Sequence, residues 1–508
     1  MTNDVYGAVS NGNGNVNNNG TYISEANVTG TVFGGLVSGN GNAESNISQV
    51  MVDGSVNGDV YGGYTEGTGN ALSNTVEVDG VKSITSSQRP GIVTGNIYGG
   101  YAESSGNAEG NRAVVYGTVD GTVYGGYVNS TGEAKNNTVK LSYNGSVSVG
   151  IVGGSSPMGS ATNNTVDIGG GNLSGNIYGD SSAYGTVSYN TVNITDINIS
   201  DNRYHRIYGG FSNQGVAVNN TVNISGGTIL QTGISGGRTE GTGASSNNTV
   251  NISGGNLSGT IYAGSSYSGV VTDNVINISG APVLEDVDLY GGGSGGTISG
   301  NALNIYTKKL SAKSVQNFDA INFYLDTKNN NSNIVNGDTM LTVETANIEG
   351  TKISGIVDGD TTLSQGDTVT LLNATGSLTD NENTTYTGTV SEGISFNHKL
   401  NVTRDGNKIV ATIGEGTSPT TPDTPTTPDT PTTPTTILPL LLPRPLTSLP
   451  ILPQTTLQTA TRTILKQKTS VWISKWKNPA MKFSAALARL LSAQTPATVR
   501  TLTAKQTA

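Results

Sequence analysis

The chain has 508 residues, of which 34% are hydrophobic, 12% are charged and 71 are glycine. Such a low charged share argues against a solvated disordered chain, for which a charged composition is typical, and the lack of cysteine excludes a disulfide framework and thiolate metal sites. The net charge of -10 combines an acidic body with a basic end, because residues 437–508 contain ten lysines and arginines and no acidic residue.

A sequence repeat extends from the first residues to about Tyr306 and is clearest at 247–264, which reads NNTVNISGGNLSGTIYAG. Val250 and Ile252 alternate with polar neighbours, and this pattern predicts a half-buried strand. The glycine pair that follows predicts a corner, and a second strand is expected around residues 260–262. Each unit therefore contains at least two short strands and two turns.

The repeat has a nearly fixed period. The residue before its glycine pair recurs every 26 to 30 residues, apart from one interval of 37 that contains an insertion near residues 86–90. A period in this range is typical of a solenoid. We therefore predict an all-β solenoid with coils of roughly 27–28 residues over residues 1–306. An asparagine before the TVNI strand keeps the same spacing and predicts an amide ladder along the axis.

The repeat ends near residue 306, but strand patterns continue to residue 416 as AINFYL, TMLTVE, TVTLLN and KIVATI. We predict that residues 307–416 form a β region with a better-buried core that caps the C-terminal end of the solenoid. Residues 417–436 contain only threonine, proline, serine and aspartate, which predicts an extended linker. Residues 437–508 are predicted to be a basic, low-complexity tail that is disordered or partly helical.

The two ends of the chain lead to further expectations. The first repeat copy, DVYGA, is already the second half of a unit, and no signal peptide precedes it. We therefore expect that further repeats and a secretion signal are missing at the N-terminus. The longest apolar run, residues 437–442, is short and is interrupted by Pro439, which argues against a transmembrane helix.

The two repeat motifs, the later segments NFDAINFYL, GDTMLTV and QGDTVTLLNATGSL, and the Pro/Thr linker together resemble the passenger of Gram-negative autotransporters over residues 1–416. This resemblance implies a right-handed parallel β-helix that is exported through a C-terminal outer-membrane barrel. It also implies a location at the cell surface, in the outer membrane or outside the cell. A barrel needs eight or more alternating strands, which residues 437–508 do not supply. We expect those residues to be an out-of-frame reading of the barrel gene or a misjoined fragment, which the other two DNA reading frames would test.

Aromatic residues at the glycine turns are the candidate binding residues. They are predicted to form an exposed stripe that stacks on sugar rings or on a protein surface; alternatively, they stack on one another and shield a corner of the rod. The expected partners are a host glycan, a host protein surface or the same protein on another cell, and no nucleic acid is expected. The candidate residues are Tyr61, Tyr64, Tyr98, Tyr101, Tyr124, Tyr127, Tyr208 and Phe211.

Parallel β-helices also host polysaccharide-cleaving enzymes, so a catalytic function is an alternative. A surface-loop insertion explains the one irregular polar cluster equally well, because a histidine without a placed acid partner is weak evidence for catalysis. We predict an adhesive, non-enzymatic surface rod with no catalytic residue, cofactor or metal site. A polysaccharide-active enzyme and a non-functional gene fragment are the alternatives. The cluster contains Asp201, Arg203, Tyr204, His205 and Arg206.

Overall fold

The protein is an all-β solenoid of about 13 turns, in which parallel strands stack from coil to coil, and the described residues contain no helix. All of these residues belong to one compact unit, Met1–Thr424. The predicted linker at 417–436 and the predicted tail at 437–508 lie outside the described part. The computed structural model describes residues 3–81, 88–201, 203–293, 296–328, 333–391 and 397–416.

The first of the stacked faces, which we call the YGG sheet, contains the strands that carry the Y-G-G motif and their counterparts after residue 306. Several of its later strands begin before a corner and continue around it. Its strands are Val5–Tyr6, Val9–Ser10, Val32–Val37, Val60–Thr65, Ile97–Ala102, Thr122–Val128, Gly150–Ser155, Asn176–Ser182, His205–Ser212, Thr228–Thr239, Asn256–Ser266, Val283–Gly293, Leu310–Gln316, Thr339–Asn347 and Thr368–Thr379.

The second face, the TVNI sheet, contains the alternating strands that the sequence predicts most clearly. Five short strands bridge this sheet to the next YGG strand in the early coils. The TVNI strands are Gly20–Ile23, Ile47–Val50, Thr75–Val78, Arg112–Val115, Thr138–Ser142, Thr165–Leu173, Thr191–Ile199, Thr221–Ile224, Thr249–Ile252, Val275–Ile278, Ala302–Ile305, Ala320–Tyr324, Lys352–Val357 and Thr385–Val390. The bridging strands are Asn27–Val28, Ser55–Val56, Ile92–Val93, Thr118–Val119 and Ser146–Val147.

A third, narrower sheet occupies the corner between a YGG strand and the TVNI strand that follows it. Its strands have only two residues each, and the first of the two is buried in most of them. They are Val16–Asn17, Ala43–Glu44, Ala71–Leu72, Ala108–Glu109, Ala134–Lys135, Ala161–Thr162, Val187–Ser188, Ala217–Val218, Ser245–Ser246, Val271–Thr272 and Ile298–Ser299.

The apolar core lies between these sheets and follows the predicted alternation. Val250 and Ile252 are fully buried, while Thr249 and Asn251, which alternate with them, are half-buried on the outer face. The strand Thr249–Ile252 is therefore confirmed in extent and in orientation. Because equivalent valines and isoleucines stack in every coil, the core is continuous along the solenoid.

The two residues before each TVNI strand of the repeat differ in conformation, as the pair Asn136 and Asn137 shows. Asn136 has a φ of 57°, in the left-handed region that asparagine tolerates better than most residues. Asn137, the next residue, is fully buried. The left-handed residue turns the chain sharply, and this turn directs the second asparagine into the corner.

Parallel stacking continues beyond residue 306 with larger core side chains such as Phe323, which is fully buried. It ends at the strand Thr385–Val390. A hairpin of His398–Asp405 and Lys408–Gly416 then pairs in antiparallel fashion with Thr368–Thr379. The hairpin thus lies alongside the last YGG strand, in the region that was expected to cap the solenoid.

Candidate binding surface on the YGG sheet

The two glycines of the Y-G-G motif are required because a backbone carbonyl lies close to the first and an asparagine side chain lies close to the second. A Cβ atom on Gly125 would lie 2.4 Å from the carbonyl oxygen of Gly153 in the next coil, and a Cβ atom on Gly126 would lie 2.4 Å from Cγ of Asn137. The second glycine therefore provides the space for the buried asparagine. In this way the two most frequent motifs of the sequence depend on each other.

The buried asparagines form the predicted amide ladder, at the corner below the YGG sheet. Nδ2 of Asn137 donates to Oδ1 of Asn164 at 2.9 Å and to the carbonyl oxygen of Ala108 at 2.9 Å. The same geometry recurs along the solenoid, so the ladder satisfies the polar groups of the corner. Its role is structural, as predicted. The ladder members are Asn46, Asn74, Asn111, Asn137, Asn164, Asn190, Asn220, Asn248, Asn274 and Asn301.

The tyrosines that precede the glycine pairs form a column on the outer face, which we call the first column. The rings of Tyr61 and Tyr98 are 4.8 Å apart and nearly parallel, and those of Tyr98 and Tyr124 are 5.0 Å apart. Phe33 and Tyr6 extend the stack toward the N-terminus. Offset stacking of this kind contributes about 0.5–1.5 kcal/mol per pair beyond the burial of area.

Three tyrosines that follow the glycine pairs form the second column. Tyr64, Tyr101 and Tyr127 stack at 4.8 and 5.0 Å, and their planes are tilted by 76° to 89° relative to the adjacent rings of the first column. The two columns therefore form a herringbone in which neighbouring rings cover each other's faces.

This packing corrects part of the expectation of an exposed stripe. Tyr61 and Tyr98 are each only 9% exposed and Tyr208 is 4% exposed, because adjacent rings cover them. The other candidate residues are half-buried. The surface available to a partner consists mainly of ring edges and hydroxyl groups, which suits hydrogen bonding better than stacking on sugar rings.

Carboxylates surround the N-terminal part of the columns. The hydroxyl of Tyr61 donates to Asp59 at 3.3 Å, and the hydroxyl of Tyr64 donates to Glu103 at 3.2 Å. Burial, together with these carboxylates, raises the pKa of Tyr61 and Tyr64 well above the usual value for tyrosine. The hydroxyls therefore remain protonated at physiological pH, and each donates its single proton to its carboxylate.

The columns are interrupted in the middle of the solenoid. Val152 replaces the tyrosine of the first column, and Ser155 and Ser181 occupy two successive positions of the second column. Beyond this gap, Phe211 returns to the second column and stacks against Tyr178 at 5.3 Å. The register between coils establishes this gap.

A second interruption is filled by Arg238. Its guanidinium lies 5.9 Å from the centre of the Tyr208 ring, within cation–π range. It also forms an ion pair with Glu240 at 2.9 Å and donates to the hydroxyl of Ser265 at 3.0 Å. Arg238 thus takes the place of an aromatic ring in the column while neutralising a nearby carboxylate.

The irregular polar cluster differs from its prediction in one respect. His205 has an acid partner after all, because its Nε2 atom hydrogen-bonds to the carboxylate of Asp201. Arg203 forms an ion pair with the same carboxylate at 2.8 Å, and these contacts lower the pKa of Asp201. The side chain of His205 is only 4% exposed, so the pair is positioned to hold the insertion against the solenoid.

No protein-family model matches the chain, and no curated protein matches it. Among the residues that the structure describes, no group of three or more histidines and carboxylates is arranged to hold a metal ion. The described residues also include no helix that is long and apolar enough to cross a membrane.

Proposed function

We propose that this protein is a non-catalytic binding rod, displayed at the surface of a Gram-negative cell or secreted from it in the manner of an autotransporter passenger. The observation that carries the proposal is the pair of aromatic columns on the YGG sheet. Stacked coils repeat identical side chains along one axis, so that many weak contacts to a repetitive partner add up to avidity.

The proposed surface combines ring edges, tyrosine hydroxyls and carboxylates. Tyrosine is enriched in protein interfaces because it offers contact area together with a polar tip, and the carboxylates suit the polar rim of such an interface. A host glycan, a host protein or the same protein on another cell would supply the matching hydrogen-bonding groups.

An attachment assay with beads that carry the full chain tests this proposal. We expect the triple variant Tyr64→Ser, Tyr101→Ser, Tyr127→Ser to reduce attachment to host cells or to other coated beads at least tenfold. Serine suits these positions because it already occupies two positions of the same column in adjacent coils. Unchanged attachment by a correctly folded triple variant contradicts the proposal.

A matched control removes three tyrosines that lie outside the columns. Tyr22, Tyr143 and Tyr189 are 61%, 81% and 60% exposed. Their replacement by serine changes the composition by the same amount and is expected to leave attachment intact. If the control reduces attachment equally, the effect arises from a general loss of surface tyrosine and not from the columns.

The Asp201–His205 pair favours polysaccharide cleavage as a second candidate function, because a carboxylate that orients a histidine is a common part of acid–base catalysis. A reducing-end assay on acidic and neutral polysaccharides distinguishes the two candidates. Cleavage that is abolished by His205→Gln would establish the enzyme, whereas a binding rod releases no new ends.

A further inference from the structure

The gap in the second column forms an open cavity of about 530 Å³ on the YGG sheet. Two successive serines in place of rings leave a space of roughly 10 Å along the axis, since stacked strands are about 4.8 Å apart. Phe211 forms an aromatic wall at one end of this space. The lining residues that bear on ligand binding are Ser155, Ser181, Arg206, Phe211, Asn213 and Glu240.

Several polar side chains in this cavity are available to a ligand. Within the described residues, the side chains of Ser155, Ser181 and Asn213 form no hydrogen bond. This is notable for Ser155, which is only 8% exposed, because a buried hydroxyl usually has a partner in the protein. Such groups contrast with Ser182, whose hydroxyl donates to the carbonyl oxygen of Gly159 at 3.0 Å. The cavity therefore presents two hydroxyls and one amide without partners in the protein.

The uncompensated charge in the cavity is positive. Arg206 forms no ion pair with a described carboxylate; its neighbours include the hydroxyl of Tyr178, with which it hydrogen-bonds. The one carboxylate in the lining, Glu240, is already paired with Arg238. An anionic ligand would therefore meet an available guanidinium and a neutralised carboxylate.

We infer that this cavity binds a carboxylated sugar unit. The Arg206 guanidinium would bind the sugar carboxylate, the part of Phe211 that Tyr178 leaves uncovered would contact an apolar part of the sugar ring, and the free hydroxyls and amide would contact the sugar hydroxyls. This inference rests on the proposed binding function and assigns a ligand class to the interruption of the columns. A terminal sialic acid and an internal uronate share the required chemistry.

Isothermal titration calorimetry with the full chain tests the inference. The probes are sialyllactose, a galacturonate oligomer and, as the neutral reference, lactose. At least one carboxylated probe is expected to bind at least tenfold more tightly than lactose, and the tighter of the two identifies the source of the carboxylate. Equal binding of all three probes, or no binding of either carboxylated probe, overturns the inference.

Two variants locate the binding. Arg206→Gln is expected to weaken binding of the carboxylated probe at least tenfold, because it removes the charged hydrogen bonds to the carboxylate. Phe211→Ser removes only an apolar contact and is expected to weaken binding less. Serine suits this position because Ser181 occupies the equivalent position of the preceding coil. Arg112→Gln, which removes an exposed arginine from the TVNI sheet, is the charge-matched control and should bind as the wild type does.

Binding through the basic residues of 437–508 would be unaffected by Arg206→Gln, and that result contradicts the inference. Failure of this test is separable from failure of the proposed function. If the cavity binds no carboxylated sugar while the second-column variant still loses attachment, the rod remains an adhesive protein whose ligand contacts the tyrosines only.

Discussion

Asn137 has four side-chain hydrogen bonds in the buried corner. Its Nδ2 atom donates to Ala108 and Asn164, and its Oδ1 atom accepts from the backbone and the side chain of Asn111. We expect Asn137→Ala to lower the free energy of unfolding by about 3–5 kcal/mol, because it leaves several buried groups without partners at about 1–3 kcal/mol each. Urea denaturation followed by circular dichroism measures this loss.

The matched control for the ladder is Asn223→Ala on the outer face of the TVNI sheet. Asn223 donates to Asn193 at 2.8 Å and accepts from Asn251 at 2.7 Å, but it is only half-buried. Water replaces these partners, so the expected loss is about 1 kcal/mol. Equal losses at both sites would show that burial of the inner ladder is not what makes it important.

Asp180 is the exception to the Y-G-G motif, since it replaces the second glycine of its coil. It is fully buried and accepts from Nδ2 of Asn164 at 3.1 Å, while the adjacent ladder bond from Asn164 to Asn190 lengthens to 3.3 Å. Burial raises the pKa of Asp180 well above its usual value. Asp180 thus adds a second acceptor for the amide of Asn164 beside the ladder.

This raised pKa predicts a pH dependence of stability. The folded state holds a proton that the unfolded chain loses above a pH of about 3.9. The stabilisation is therefore complete at lower pH and is lost as the pH rises through the folded pKa. We expect the unfolding free energy of the wild type to fall from pH 4 toward neutrality, and Asp180→Asn to reduce that slope. Denaturation curves across this range measure it.

Asp167→Asn provides the comparison for Asp180, because Asp167 lies on the outer face and accepts from Asn193 at 2.7 Å. If removal of Asp167 flattens the slope as much as removal of Asp180, the pH dependence belongs to the surface charge in general. The prediction for Asp180 would then be wrong.

At the scale of the element, the space between adjacent coils limits the size of the side chains that the Y-G-G strand can carry. Gly126→Ala would place its Cβ atom 2.4 Å from Cγ of Asn137, so either the ladder or the strand must move. We expect a loss of about 1–3 kcal/mol, as for other overpacked sites. The control is Gly12→Ala, since no atom lies within 4 Å of a Cβ at that position. A thermal unfolding scan that shows no difference between the two variants contradicts this explanation of the motif.

The alternation of Val250 and Ile252 was sufficient to predict a strand and its buried face, because a period of two residues is a local property of the chain. The spacing of the asparagines likewise predicted the ladder. The strand and the ladder were predictable because every coil repeats the same short sequence pattern. Neither pattern predicted the herringbone of Tyr61 and Tyr64, which depends on ring orientations in adjacent coils.

Features that occur once could not be predicted in the same way. The contact between Asp201 and His205 depends on how a single insertion folds, and the cavity beside Phe211 depends on which rings are missing. The substitution of serine at 155 and 181 is visible in the sequence. Its meaning required the register between coils, which places those serines in the column of tyrosines.

At the scale of the whole molecule, the continuous core makes the end of the solenoid its most vulnerable point, since an unpaired strand invites association with other chains. The hairpin of 398–405 and 408–416 covers this end. Its side chains Leu400 and Val402 are buried, and both lie close to Gly355 at the inner face of the last coils.

We expect the double variant Leu400→Asp, Val402→Asp to detach the hairpin, because each substitution would bury an unpaired charge. Detachment exposes the edge of Thr368–Thr379 and the apolar side chain of Leu371. The predicted result is self-association, which size-exclusion chromatography with light scattering detects as a rise in mass and as aggregates.

The control for the hairpin adds the same two negative charges on its exposed face. Asn401 and Thr403 alternate with the buried pair and point to solvent, so Asn401→Asp with Thr403→Asp should leave the protein as dispersed as the wild type. Because both variants share the strand and the charge change, only burial distinguishes them. A double variant at 400 and 402 that remains dispersed would mean that the last coil does not need its hairpin, and the region after residue 390 would lose its assigned role as a cap.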